Sequence, residues 1–278
     1  MKFCRGERAL LLERGKERVL VISDLHIGYE LELASKGFRV PSQTPTMLKR
    51  LQRLLDSTGA SKLLILGDVK HKVPGIQAQE WSDTPAFFEA LLPLVEEIVV
   101  LRGNHDAELE ALLPREVKVY GAYGVSLFDG RVAAQHGHAW PAPRLLSCAI
   151  FLMGHHHPVV RIGQDGERLP VWLTGRWDRG KVLQRMLEHL RRAKRRASLR
   201  SVSNPTLVLL PAFNELVPGK VANEPGWRPR SPLLRGGALP LEGVGAYTLE
   251  GHYLGTLANL IGGGQGRSRQ NGVHLPKP

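Results

Sequence analysis

Short apolar runs, each discharging into a cluster of Gly, Asp, Asn and His, organise the first half of the chain. Residues 18–23 (RVLVIS) are β-branched and apolar, with charge before them and DLHIGYE after, and read as a buried strand ending in a polar loop. Residues 62–66 (KLLIL) lead in the same way into GDVKH, and residues 97–101 (EIVVL) into RGNHD. Between these runs, residues 46–55 and 85–95 carry apolar positions at helical spacing, the second with Pro93 near its end. Strand, loop and helix repeating in that order require crossover connections. VSLFDGRVAAQHGH and AIFLMGHHHPVVRIG predict further strands, the first folded about an Asp129-Gly130 hairpin turn. The pattern predicts a layered α/β sandwich whose polar residues just past the strands gather along one sheet edge, where ligands bind in such folds.

Beyond Trp177, the apolar positions Val182, Leu183, Met186, Leu187 and Leu190 predict an amphipathic helix inside a basic insertion at about residues 178–202. TLVLLPAF returns to β character, and the Pro- and Gly-rich segments after it read as loops and edge strands. The expected organisation is one domain over residues 1–261 and a mobile tail over 262–278, where no apolar period survives.

Composition narrows the class. With 42% hydrophobic and 23% charged residues, the chain of 278 is neither disordered, collagen-like nor disulfide-dense. Cys4 and Cys148 lack CxxC partners, which excludes a disulfide framework or thiolate zinc site and fits a reducing compartment. The opening residues lack the apolar core of a signal peptide, and no run approaches ~18 apolar residues, so a cytoplasmic location without a membrane partner is expected. The net charge of +12 is concentrated: residues 1–175 contribute +1, residues 176–200 contribute +8 and residues 201–278 contribute +3. Such a basic stretch attracts phosphate polyanions, although basic runs are also commonly solvated helix faces.

Five motifs concentrate oxygen and nitrogen ligands: Asp24 and His26 in SDLH, Asp68 in LGDVKH, Asn104, His105 and Asp106 in RGNHD, His136 in QHGH, and His155 with His157 in MGHHHP. Carboxylate, amide and imidazole together suit manganese, iron or zinc better than magnesium or calcium alone. Two adjacent cations sharing a carboxylate and a hydroxide, about 3.5 to 4 Å apart, would activate attack on phosphorus. Asp24 and His26, two apart on an extended strand end, present one face, as do His155 and His157, whereas His156 faces away and reads as structural. Asn104 is also a good N-cap for a helix starting in NHDAELEALL.

The order DxH, GD, GNHD, H, GHxH resembles the calcineurin-like metallophosphoesterases over about residues 19–158. The resemblance implies a four-layer α/β/β/α sandwich with mixed sheets. It further implies one metal held by Asp24, His26 and His157, a second held by Asn104, His136 and His155, and Asp68 bridging them. His105 then contacts the scissile phosphate and protonates the leaving oxygen, with Asp106 fixing its tautomer and orientation; His138 receives no role. SDLHIGYELELASKGFRVPSQT, LGDVKHKVPG and LLPAFNELVPGKVAN are similar to the ICC-like phosphoesterases, including the ligase-associated PdeM group. GDVKH also resembles GDxxH of SbcD-type nucleases, which makes His71 a candidate phosphate contact, or else a loop histidine. Pro211, Phe213 and Asn214 read as packing residues, and Trp172 and Trp177 as core cover or base-stacking surfaces.

The expected activity is hydrolysis of a phosphodiester by two divalent transition metals, manganese (Mn2+) favoured over iron, zinc or nickel, with DNA as substrate and DNA repair proteins as partners. Arg191, Arg192, Arg195 and Arg196 are the candidate backbone contacts. A phosphoesterase for small or cyclic nucleotides, and a non-catalytic metal-binding scaffold, are the alternatives.

Overall fold

The computed structural model describes residues 1–163, 165–194 and 202–261. In chain order the strands are β1 (Lys2–Phe3), β2 (Leu10–Arg14), β3 (Glu17–Ile22), β4 (Lys62–Ile65), β5 (Glu97–Leu101), β6 (Lys118–Tyr120), β7 (Val125–Leu127), β8 (Val132–Gln135), β9 (Ile150–Met153), β10 (Pro158–Ile162), β11 (Glu167–Pro170), β12 (Trp172–Gly175), β13 (Thr206–Leu209), β14 (Lys220–Val221), β15 (Gly245–Tyr247) and β16 (Tyr253–Thr256). The α-helices are α1 (Tyr29–Ser35), α2 (Thr44–Thr58), α3 (Ala78–Glu89), α4 (Arg179–Arg192) and α5 (Leu257–Ile261). One sheet runs β1-β2-β3-β4-β5-β6, a second runs β16-β15-β12-β13-β9-β8-β7, and β11-β10-β14 form a small third. Both large sheets are mixed: β3, β4, β5 and β6 are parallel, as are β8, β9 and β13, with antiparallel strands beside them.

Alternation along the strands builds the layers. Val19, Val21, Leu64 and Leu66 face Val132, Leu152, Trp172 and Val208 of the second sheet. Their neighbours Leu20, Ile22, Leu63 and Ile65 turn the other way, onto Met47, Leu51 and Leu55 of α2 and Phe87 and Phe88 of α3. On the far side, Phe151, Met153, Leu207 and Leu209 pack against Val182, Met186 and Leu190 of α4. The result is the four-layer α/β/β/α sandwich expected from the sequence. A one-residue slip of any central strand would exchange two cores, so these pairings have a fixed register.

Several elements depart from the sequence pattern. Helix α3 starts at Ala78 rather than Pro85, because Gln77 and Glu80 form a capping box that the apolar spacing does not mark; Pro85 lies inside it, and Pro93 falls in a 3-10 turn. Helix α1 was not anticipated at all. Asn104 caps nothing: the segment after it is a 3-10 turn, Leu109–Leu112, preceded by Glu108. Helix α4 begins where Asp178 accepts the Lys181 amide at 3.0 Å, and buries Val182, Met186 and Leu190 as expected. Its basic continuation, including Arg195 and Arg196, and the 262–278 tail lie outside the described residues. Among the described residues no helix is long and apolar enough to cross a membrane.

Candidate metal centre

Six loops leave the C-terminal ends of β3, β4, β5, β8, β9 and β13 and converge. The first two are stapled by backbone bonds: the amides of Asp24, His26 and Ile27 donate to the carbonyls of Gly67, Asp68 and Val69 at 2.8–3.0 Å. The β13 loop braces the first from outside, with the Phe213 amide donating to Ser23 O (2.7 Å) and Asn214 Nδ2 to Leu25 O (2.9 Å). That gives buried Phe213 and Asn214 the packing role expected of them.

The ligand candidates do not sit on extended strand ends. Asp24, His26, Asp68, His155 and His157 all have positive φ, between 42° and 65°. This left-handed backbone is tolerated by Asp and His better than by β-branched residues, yet costs of order 1–3 kcal/mol each. The shared face predicted for Asp24 with His26 and for His155 with His157 is therefore real in outcome but arises from tight turns. Close approach also demands glycine: a Cβ on Gly103 would fall 2.2 Å from Asp68 Oδ1, and one on Gly154 only 1.8 Å from Ser23 Oγ.

Among the described residues three donor groups result: two share Asp68, and the third, His26 with His71 and His105, shares His26 with the first of them. Asp24, His26, Asp68 and His157 bring ligand atoms within 4.8 Å of one another; Asp68, His136 and His155 do the same. Asp68 Oδ2 lies 3.5 Å from His26 Nε2 and 3.3 Å from His136 Nε2, while Asp24 Oδ1 is 3.0 Å from His157 Nε2. Asn104 joins the second cluster through Oδ1, 3.2 Å from His136 Nε2. All seven residues singled out as ligands are thus brought together.

The donors fit divalent transition cations. His136 donates Nδ1–H to Leu66 O at 2.6 Å, so in its neutral form the Nε2 lone pair faces the oxygens of Asp68 and Asn104. Acceptors facing an acceptor call for a positive charge between them. Burial opposes protonation of His136, but the Asp68 and Asp24 carboxylates overcome it and raise its pKa to about 9. Asp24 responds in kind: burial disfavours its anion, yet His157 and His136 hold it at about 2. Burial keeps His26 and His155 neutral, at about 3 and about 2, the protonation state of a metal ligand. Among the described residues the buried Nε2 of His26 has no hydrogen-bonding partner, the nearest carboxylate oxygen being 3.5 Å away, an arrangement expensive for a folded core and natural for a coordination site.

Around the clusters the details differ from expectation. Asp106 does not fix the His105 ring. Its carboxylate is wholly buried and accepts the backbone amides of Gly103 (2.7 Å), Asp68 (2.7 Å) and Val69 (2.8 Å), tying the β4 and β5 loops together. The His105 ring is held instead by the His71 carbonyl, 2.5 Å from Nδ1. His156 is buried and structural, donating Nδ1–H to Gly154 O. His138 stays beside His136, 5.2 Å between ring centres, and burial lowers it to about 4. Trp172 and Trp177 are core residues, closed to any base. Arg191 and Arg192 are exposed on the last turn of α4. Glu80 was missed: it is buried, accepts the His71 and Lys72 amides at 2.8 and 2.6 Å, and shapes the loop that carries His71; the Gln77-Glu80 spacing was its only signal.

The calcineurin-like phosphoesterase family profile matches residues 17–181, the span holding every donor described above. Among solved structures, the chain is similar to Pseudomonas putida nuclease MPE, with 20% identity over 87% of this chain and 97% of that one, and a TM-score of 0.47. It is also similar to the phosphoesterase YfcE of E. coli, with 22% identity over 54% and 75% of the two chains and a TM-score of 0.35. No curated protein matches the sequence. The profile, covering more than half of the chain, establishes that it belongs to the calcineurin-like phosphoesterase family of metal-dependent hydrolases.

Proposed function

We propose that this enzyme is a two-cation phosphodiesterase acting on nucleic acid strands, with manganese as its metal. The observation that carries the reading is the pair of donor clusters joined at Asp68. Asp24, His26 and His157 would hold one cation, Asn104, His136 and His155 the other, and Asp68 both. When bound, the cations would supply Lewis acidity, activating water and neutralising charge that develops at phosphorus. The protein does the rest. His105 stands over the clusters, its ring 4.8 Å from that of His26, and its Nδ1–H donated to His71 O turns Nε2 outward for proton delivery to the leaving oxygen. Asp68 Oδ1 accepts the His105 amide at 2.9 Å, so the proton donor and the shared carboxylate move as one unit.

A strand-shaped substrate is supported by the surface beside Asn104. Tyr120 and Tyr123 are 46% and 53% exposed and, with Arg144 and His189, line a cavity of about 350 Å³. The Arg102 amide, just ahead of the Asn104 loop, donates to Tyr120 O. Trp140, two residues past His138, stacks on His189 of α4 at 4.4 Å, which anchors the basic helix to the catalytic edge. Exposed aromatics with a neighbouring cationic track are the usual platform for single strands. The resemblance to the ligase-associated group extends this reading to DNA and its repair.

The test compares a phosphomonoester, a small diester and single-stranded DNA with Mn2+ at low and moderate salt. DNA is expected to be preferred, with a steep salt dependence. Reversing Arg191→Glu and Arg192→Glu together is expected to raise KM for DNA about tenfold at low salt and leave turnover of the small diester unchanged. Dominance of the monoester would overturn the diester assignment, and DNA turnover indifferent to both salt and charge reversal would favour a small-nucleotide enzyme.

A further inference from the structure

His71 has no ring nitrogen to offer a phosphate. Its Nε2 lies 2.6 Å from Glu32 Oε2, on α1, and its Nδ1 lies 3.2 Å from Nδ1 of His26. A carboxylate only accepts, so the first contact places a hydrogen on His71 Nε2. The neutral ring then has a lone pair at Nδ1, and the partner facing that lone pair must be a donor. His26 consequently carries its hydrogen at Nδ1, and its lone pair is forced onto Nε2. That atom is the buried one without a partner, 3.5 Å from Asp68 Oδ2 and inside the first donor cluster. Reversing either tautomer would set N–H against N–H or lone pair against lone pair.

We infer that Glu32 and His71 form a positioning relay that fixes the tautomer of His26, so that its Nε2 is presented as a metal ligand. The inference rests on the proposed role of His26 and replaces the phosphate contact expected of His71. The backbone of His71 is held as firmly as its ring: its amide donates both to Ile27 O (3.0 Å) and to Glu80 Oε1 (2.8 Å), and its carbonyl holds His105 Nδ1. One residue therefore ties the ligand His26, on the β3 loop, to the proton donor His105, on the β5 loop. Tyr29 closes the fourth side, edge-on to the His71 ring at 4.9 Å. Glu32 also pairs with Lys36, the residue that caps the C-terminal end of α1, which keeps the carboxylate aimed inward from a half-buried position.

Relays of this kind typically contribute 10- to 100-fold in metal affinity. The experiment titrates Mn2+ into the full-length protein by calorimetry and reads histidine tautomers by 15N NMR on the metal-free protein. Wild type is expected to bind Mn2+ and to show His26 protonated at Nδ1. His71→Phe, which keeps a ring of similar shape, and Glu32→Ala are each expected to weaken one Mn2+ site at least tenfold and to leave the His26 proton distributed between both nitrogens. Glu32→Gln retains an acceptor oxygen and is expected to restore affinity to within a few-fold of wild type. Glu32 is only half-buried, so its variants are expected to stay folded, with at most a small drop in Tm, and serve where His71→Phe does not fold. Mn2+ affinity within twofold of wild type in both Glu32→Ala and His71→Phe, with the His26 tautomer unmoved, would overturn the relay alone. A wild-type protein that binds no Mn2+ would overturn the metal centre and the relay together.

Discussion

Asp68→Asn is expected to lower kcat for a diester by about three orders of magnitude or more, since in the proposed centre the charge it removes would serve two cations and several kcal/mol of stabilisation are at stake. Calorimetric Mn2+ stoichiometry is expected to fall from two to one or none. Asn keeps the shape and one carbonyl oxygen, so the 2.9 Å bond from the His105 amide survives and the loss is one of charge rather than folding. Turnover at the wild-type level would remove Asp68 from the centre. The same carboxylate makes a prediction for the metal-free protein. His136 has its pKa raised, despite burial, by Asp68 and Asp24, so its protonated form stabilises the fold below the ordinary histidine value of 6.5. That stabilisation is lost as pH rises through about 9. In EDTA, wild-type Tm should therefore decline between pH 6.5 and 9, and the Asp68→Asn curve should be flatter. Saturating Mn2+ should abolish the decline, because cations replace the proton.

Much of this was legible in the chain because the fold is built from a simple alternation. Val19 to Ile22 and Leu63 to Leu66 point to opposite cores residue by residue, and runs of that kind announce a strand covered on both faces. The convergence of the candidate donors was legible because each follows such a strand closely, so knowing the strand ends meant knowing the edge. What stayed hidden depends on contacts between distant loops. Nothing local tells that Asp106 will be spent on the amides of Asp68 and Val69, about one helix and one strand earlier in the chain, instead of on its neighbour His105. Nor does the spacing of DxH reveal left-handed backbone, since extended and left-handed paths can both bring alternate side chains together. Glu32 escaped for the same reason: only the closure of α1 over the β4 loop makes it a partner for His71.

Gly154→Ala is the second change with a large expected effect, and it tests whether the packing beneath the metal centre is as tight as the backbone implies. Gly154 has no need of positive φ, so an alanine there is conformationally ordinary and only the space is at issue. Its Cβ would meet Ser23 Oγ at 1.8 Å and Asp24 Oδ2 at 2.9 Å. Ser23 cannot retreat cheaply, because it is fully buried and its hydroxyl donates to Asp24 Oδ2 at 2.5 Å. Overpacking of this kind costs about 1–3 kcal/mol, or a Tm lower by roughly 2–12 °C in a chain of this size. The function should suffer more than the fold. The His155 amide donates to both Asp24 oxygens, at 3.1 and 3.2 Å, so displacing the carboxylate disturbs one ligand in each cluster. A misplacement near 1 Å costs about 100-fold in rate. Ser23→Gly in the same chain removes the colliding atoms and should recover most of the lost Tm, while turnover stays low because Asp24 has lost its hydroxyl donor. Gly243→Ala, where a Cβ meets nothing within 4 Å, should change neither quantity. If Gly154→Ala melted and turned over like Gly243→Ala, the β3 and β9 loops could not be in the contact that brings Asp24, His155 and His157 together.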